Sequence, residues 1–179
     1  DGLQARAFEL IASAENISSD QCLKISRFVS KAVGLRGMVG GQFLDIEATG
    51  QKLTSQELKS MHNLKTGALL TASVVAGGLT VSASQEELAC LEKFGNHIGL
   101  AFQVTDDILD VEGTSKALGK TPGKDAKENK STYVNLLGIE NAKQVALESL
   151  EQALIALKSF GEPAESLRKI AQLIVKRKK

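Results

Sequence analysis

A chain of 179 residues, 42% hydrophobic and 24% charged, is long enough to bury one sizeable core and too apolar to be disordered. Its formal net charge of +1 gives no reason to expect nucleic acid or an anionic membrane as a partner, and no apolar run approaches the roughly 20 residues of a membrane span. Two cysteines, Cys22 and Cys90, imply no disulfide framework and agree with a reducing, cytoplasmic location.

Apolar residues recur at spacings of three and four, and only Pro122 and Pro163 interrupt them, so residues 1–179 read as one all-helical domain. Leu3 to Ala14 makes a first helix. Ser19 to Val33 follows, with Leu23, Phe28 and Val29 on an apolar stripe, and breaks near Gly34. Gly37, Gly40 and Gly41 then precede Gln42 and Asp45; residues without side chains let a second helix or a ligand approach the backbone. Thr54 with Glu57, and Ser84 with Glu87, have capping-box spacing, which predicts helix starts near residues 55 and 85. Between them, Lys65-Thr66-Gly67 places a lysine and a hydroxyl just ahead of a strongly apolar helix, where an anion can sit at a helix N-terminus. The Gly77-Gly78 pair permits close helix packing. His62 and His97 lie inside helices with no second ligand at suitable spacing and read as structural, while Phe43, Phe94 and Phe102 read as core.

The most informative segment is Phe102-Gln103-Val104-Thr105-Asp106-Asp107-Ile108-Leu109-Asp110. At 100° per residue, Gln103, Asp106, Asp107 and Asp110 fall within roughly 100° of arc, so one helix face is acidic. Like charges one turn apart destabilise a helix by about 0.2–0.5 kcal/mol per pair, and a hard cation resolves the repulsion. Magnesium suits the role: it takes oxygen ligands, keeps several waters and is shared between a few carboxylates and substrate phosphates. Asp106, Asp107 and Asp110 are therefore the candidate metal ligands. A calcium loop is a poor alternative, because calcium loops alternate oxygen ligands around a glycine rather than following a helix face.

Gly113 to Lys130 is lysine-rich and nearly devoid of apolar residues, so it reads as an exposed loop. It carries Gly119-Lys120 and ends at Lys130-Ser131-Thr132-Tyr133. A carboxylate-bound metal flanked by lysines clamps a polyphosphate, the cation from one side and the ammonium groups from the other. Two amphipathic helices follow, about Ile139 to Ser159 and Ala164 to Lys176, separated by Phe160-Gly161-Glu162-Pro163. The closing Lys176-Arg177-Lys178-Lys179 reads as a basic complement to a helix C-terminus.

Gly41-Gln42-x-x-Asp45, Lys65-Thr66-Gly67, Phe102-Gln103-x-x-Asp106-Asp107-x-x-Asp110, Gly119-Lys120 and Lys130-Ser131-Thr132-Tyr133, in that order, resemble the trans-type polyprenyl synthases, most closely the bacterial farnesyl or geranylgeranyl diphosphate synthase branch. The aspartate cluster is similar to that family's second aspartate-rich motif. The resemblance implies the carboxy-terminal part of an isoprenoid-synthase helical bundle, a homodimer, and magnesium-dependent head-to-tail condensation of an allylic diphosphate with isopentenyl diphosphate. It also implies roles. Asp106 is the main metal ligand from this helix, with Asp107 and Asp110 supporting it directly or through water. Lys65, Thr66, Gln103, Lys120 and Lys130 hold the allylic diphosphate, with Asp106, Asp107, Lys65 and Lys120 the catalytic set. Gln42 and Asp45 orient Lys65 or the substrate.

The family's first aspartate-rich motif, its amino-terminal basic residues and the aromatic positions that set product length are not found within residues 1–179, and Asp1-Gly2-Leu3-Gln4-Ala5 resembles the segment shortly after that first motif. The expectation is an amino-terminally truncated polypeptide with about half an active site, not competent alone. A non-catalytic helical subunit that modulates an active partner is the alternative, although such a subunit has no need of a strained acidic face. A terpene cyclase would share fold and metal chemistry, but the Lys65-Thr66 and Gly119-Lys120 signals favour the chain-elongating branch.

Overall fold

The computed structural model describes residues 2–112 and 130–177. Among them are helices and turns and no strand, as the three-four periodicity requires. The elements are α1 (Gly2–Ala12), α2 (Ser19–Val33), α3 (Met38–Glu47), α4 (Ser55–His62), α5 (Ala68–Thr80), α6 (Gln85–Glu112), α7 (Tyr133–Leu137), α8 (Ile139–Ala156) and α9 (Glu165–Lys176). Most of the loop expected between Gly113 and Lys130, with Gly119 and Lys120, lies outside the described residues, as do Lys178 and Lys179.

Local chemistry sets the boundaries. Thr54 accepts from the Glu57 N–H while Glu57 reaches back to the Thr54 N–H, closing a reciprocal cap at the start of α4. Ser84 and Glu87 do the same before α6. A third such box, Ser18 with Gln21, opens α2.

The 28-residue α6, about 42 Å long, is the spine of the bundle. Its amino-terminal half packs Leu91, Phe94 and Ile98 against Val75 of α5, Leu150 and Ala153 of α8, and Ala171 of α9. The carboxy-terminal half packs Val104 and Ile108 with Leu58 and Met61 of α4, Tyr133 of α7, and Ala142 and Ala146 of α8. Phe94, Leu58 and Val104 are fully enclosed, and each such side chain contributes about 1.5–3 kcal/mol by leaving water. Phe94 thus matches the sequence expectation. Phe43 does not: it lies on the outward side of α3 and is 61% exposed, because Gly41 and Asp45 take the inward face.

The segment around Lys65 also differs from expectation. Lys65 and Thr66 do not precede a helix start; α4 continues through a π-helical turn, Asn63–Gly67, directly into α5, and both flanking residues are right-handed helical. The N–H groups there are spent on intrahelical bonds, so any anion is met by side chains and not by a helix terminus. A π turn carries one more residue than an α turn and often marks a functional position within a helix.

Two glycines bring this turn into place. A Cβ on Gly41 would collide with the backbone of Lys65, so α3 lies directly against the turn. A Cβ on Gly99 of α6 would stand 2.8 Å from Gly67 Cα. The sequence left open whether the glycines at 37–41 admit a helix or a ligand; at Gly41 it is the protein backbone that approaches. Gly41→Ala is expected to lower unfolding stability by about 1–3 kcal/mol in urea denaturation, since backbone must move to admit a methyl group. An unchanged denaturation midpoint would contradict this packing.

Candidate active site

Asp45, one turn after Gly41, is buried, and its Oδ2 accepts from two ammonium groups: Lys65 Nζ at 2.7 Å and Lys130 Nζ at 3.2 Å. Burial pushes the Asp45 carboxyl upward, but the hydrogen bonds and charges of the two lysines outweigh it and hold the group below its ordinary value. Asp45 therefore remains ionised at neutral pH. Lysines 65 positions apart in the chain are brought to one oxygen atom. Lys130 is further located by its neighbour Ser131, whose Oγ donates to the Gln51 carbonyl and accepts from the Leu53 N–H at 3.1 Å each.

The next residue of the π turn reaches the acidic helix. Thr66 Oγ1 donates to Gln103 Oε1 at 3.2 Å, and Gln103 Nε2 donates to Asp107 Oδ1 at 3.3 Å. The second Asp107 oxygen accepts from the Tyr133 N–H at 2.8 Å. Both oxygens of this carboxylate, itself 3% exposed, thus bind protein groups. Its evident work is to tie the Lys130-Ser131-Thr132-Tyr133 segment to α6. Asp110, one turn on, is also buried.

Asp106 differs from its neighbours. Its side chain is 41% exposed, and its Oδ1 pairs with the guanidinium of Arg177, which lies over the Phe102 ring with 4.4 Å to the centroid. Phe102 and Asp106 are one turn apart, so one face of α6 offers the cation a π surface and a carboxylate together. Nothing local in the sequence marks this residue: the basic tail reads as a complement to the helix dipole, and no periodicity within α6 shows which distant cation will come to rest there.

Of the residues expected from sequence, the structure gathers Asp45, Lys65, Lys130, Thr66, Gln103 and Asp107 into two hydrogen-bonded groups joined through adjacent residues of one turn. Asp106 stands at their margin and Asp110 deeper along the same helix. Gln42 is not brought in: it is exposed and makes no side-chain hydrogen bond among the described residues. Lys120 lies outside them. Among the described residues, no group of three or more His, Cys, Asp or Glu side chains forms a ready cation cage. The like-charge strain expected on α6 is relieved here in part by Gln103, the Tyr133 N–H and Arg177.

His62 and Tyr133 sit behind this network with ring centroids 5.7 Å apart. Among the described residues His62 Nδ1 and Tyr133 Oη are buried and have no hydrogen-bond partner. Burial, reinforced by the Lys65 charge and partly offset by Asp45, lowers the His62 imidazole to about 4. Burial, reinforced by Asp107, raises the Tyr133 phenol to about 12. Both stay neutral, in keeping with the structural role expected for His62.

Residues 1–173 match the profile of the family described as Polyprenyl synthetase, and the chain belongs to that family. It is 37% identical to farnesyl diphosphate synthase of Bacillus subtilis, over 99% of this chain and 60% of that protein. It is 38% identical to geranylgeranyl diphosphate synthase of Cyanophora paradoxa, over 99% of this chain and 61% of the relative. Among solved structures, a geranyltransferase of Helicobacter pylori complexed with magnesium and isoprenyl diphosphate superposes with a TM-score of 0.82 at 31% identity, covering 98% of this chain and 57% of that one. The chain spans about half to three fifths of the length of such relatives.

The His62 environment carries a pH signature. The unfolded imidazole, at 6.5, takes its proton before the folded one at about 4, so stability falls as pH drops through that interval and the effect levels off below it. Between pH 7 and 4.5 the wild-type chain should lose about 2–3 kcal/mol that a His62→Gln variant does not lose. Urea denaturation at the two pH values measures the difference, and parallel losses in both proteins would refute the buried, neutral imidazole.

Proposed function

We propose that the chain forms the allylic-diphosphate half of a magnesium-dependent, short-chain prenyl diphosphate synthase that joins an allylic diphosphate to isopentenyl diphosphate head to tail. The observation that carries this reading is the meeting of Lys65 and Lys130 at Asp45 Oδ2, with Thr66 beside them bonded to Gln103, one turn before Asp106. In this reading the substrate diphosphate lies between the lysine pair and the exposed Asp106 carboxylate.

Asp106 suits a metal shared with a substrate. Magnesium held partly by substrate phosphates needs only one or two protein carboxylates, and a protein cation, Arg177, already pairs with this one. Asp107, with both oxygens engaged, and the buried Asp110 are placed to support Asp106 through the helix and through water. Bound magnesium supplies Lewis acidity to the diphosphate as its carbon–oxygen bond ionises. Lys65 and Lys130 neutralise negative charge that grows on the leaving group, and Asp45 keeps their ammonium groups aimed there before substrate arrives. Thr66 and Gln103 offer hydrogen-bonding groups on the same side. Lys120 would add a third cation by resemblance alone.

The homodimer, the cytoplasmic location and the choice between farnesyl and geranylgeranyl products belong to the same proposal and rest on the resemblance. A version carrying both aspartate-rich motifs should elongate dimethylallyl or geranyl diphosphate with isopentenyl diphosphate only when magnesium is present. In that protein Asp106→Ala should lower turnover by about two to three orders of magnitude, as loss of a dedicated transition-state contact does. Near-wild-type turnover would overturn the site. Residues 1–179 alone are expected to bind inorganic diphosphate in a magnesium-dependent way without turning substrate over, and magnesium-independent binding would count against the reading.

A further inference from the structure

The structure assigns Arg177 a place in this same site: it is a stand-in cation that occupies Asp106 until the metal arrives, so metal binding and the docking of the α9 terminus compete for one carboxylate. The inference rests on the proposed metal role of Asp106 and goes beyond it by naming the group the metal must displace.

Three features of the contact carry it. First, the guanidinium is held where a cation is required, at Asp106 Oδ1, the α6 aspartate that remains partly open to solvent. A counter-charge relieves the repulsion between carboxylates one turn apart on a helix. Second, the seat is built from α6 itself: the Phe102 ring lies beneath the guanidinium, and the Phe102 carbonyl accepts from Arg177 Nη2 at 3.5 Å. Third, the seat is incomplete. Among the described residues only Nη2 is bonded, and Arg177 Nε is buried without a partner there. An arginine that serves as a permanent anchor uses its planar fork on two acceptors. Arg168 does so on the same helix, reaching the Leu157 carbonyl at 2.8 Å and the Glu165 carboxylate at 3.4 Å. Arg177 instead places both of its acceptors on the single Nη2 and sits at the helix end, so its fork is not locked as that of Arg168 is.

The attachment point is also short. The Arg177 N–H closes the last turn of α9 on the Leu173 carbonyl at 2.9 Å, and the backbone there turns to an extended conformation. Withdrawing the side chain requires rotation at a helix end and no repacking of the core, in which α9 is anchored by Ala171.

Competition with a partly exposed ion pair is modest in size. Arg177→Gln should bind manganese, used as the magnesium probe and read by the electron paramagnetic resonance of the free ion, about two- to five-fold more tightly than wild type. Arg177→Lys, which keeps a charge but not the planar stack on Phe102, should fall between them. Equal or weaker binding in Arg177→Gln overturns the stand-in role and shows an anchor instead. A second measurement does not depend on the variant's fold: the Arg177 side-chain N–H resonance of the wild-type protein, identified by its loss in Arg177→Lys, should move on magnesium titration and be indifferent to sodium at equal ionic strength. A resonance that stays fixed while manganese binds also overturns the inference. If wild type and Arg177→Gln both fail to bind manganese even with inorganic diphosphate added, the metal role of Asp106 falls, and the stand-in role falls with it. Binding that is the same in both removes only the stand-in.

Discussion

Two lysine ammonium groups sharing one buried carboxylate oxygen is the constraint around which the rest of this structure is arranged. Like charges do not gather unaided, and a carboxylate does not stay buried and ionised without partners. Asp45 solves both problems at once, and the fold supplies the means. Gly41 allows α3 to touch the turn that bears Lys65. Ser131 and the Tyr133 N–H fasten the segment that bears Lys130 to the strand of chain before α4 and to α6. Neither lysine would be within reach of the other without these unremarkable contacts, none of which involves a charged substrate.

The aspartate-rich helix then divides its labour by burial. Asp107 is consumed by internal hydrogen bonds and joins the two halves of the lysine cluster to the spine of the bundle. Asp106, turned outward, keeps its capacity for a cation. A row of equivalent carboxylates in the sequence thus becomes a scaffold residue and, in the proposed function, a ligand residue. The difference comes from which side of α6 faces α7 and which faces the opening toward α9. Arg177 in that opening shows the position to be attractive to positive charge even within the protein's own means.

Periodicity and capping chemistry were sufficient to read the helices, because they depend on neighbours in sequence. The boxes at Thr54 and Ser84 and the break at Gly34 needed nothing more. The site was legible to the extent that residue order resembles a known arrangement: Lys65, Thr66, Gln103, Lys130 and Asp45 were all named and are found together. Three features were not legible. The π turn at Asn63–Gly67 reads as a helix start, since a continuous helix with one extra residue leaves no mark on apolar spacing. Gln42 sits one turn before Asp45, yet α3 turns it outward. Arg177 reaches its partner across 71 positions, a distance over which only tertiary packing decides. Such pairings depend on where the ends of helices come to lie, which local rules do not encode.

The central claim is that Asp45 serves anion binding by arranging cations, although it is itself an anion beside the proposed diphosphate. Simple electrostatics and this account predict opposite signs for Asp45→Asn. Removing a negative charge near an anion site should tighten binding if the lysines act only as free charges, whereas loss of their common acceptor should weaken it if their placement matters. Calorimetric titration of wild type and Asp45→Asn with inorganic diphosphate and magnesium is the direct test. The account predicts weaker binding in the variant; equal or tighter binding would contradict it.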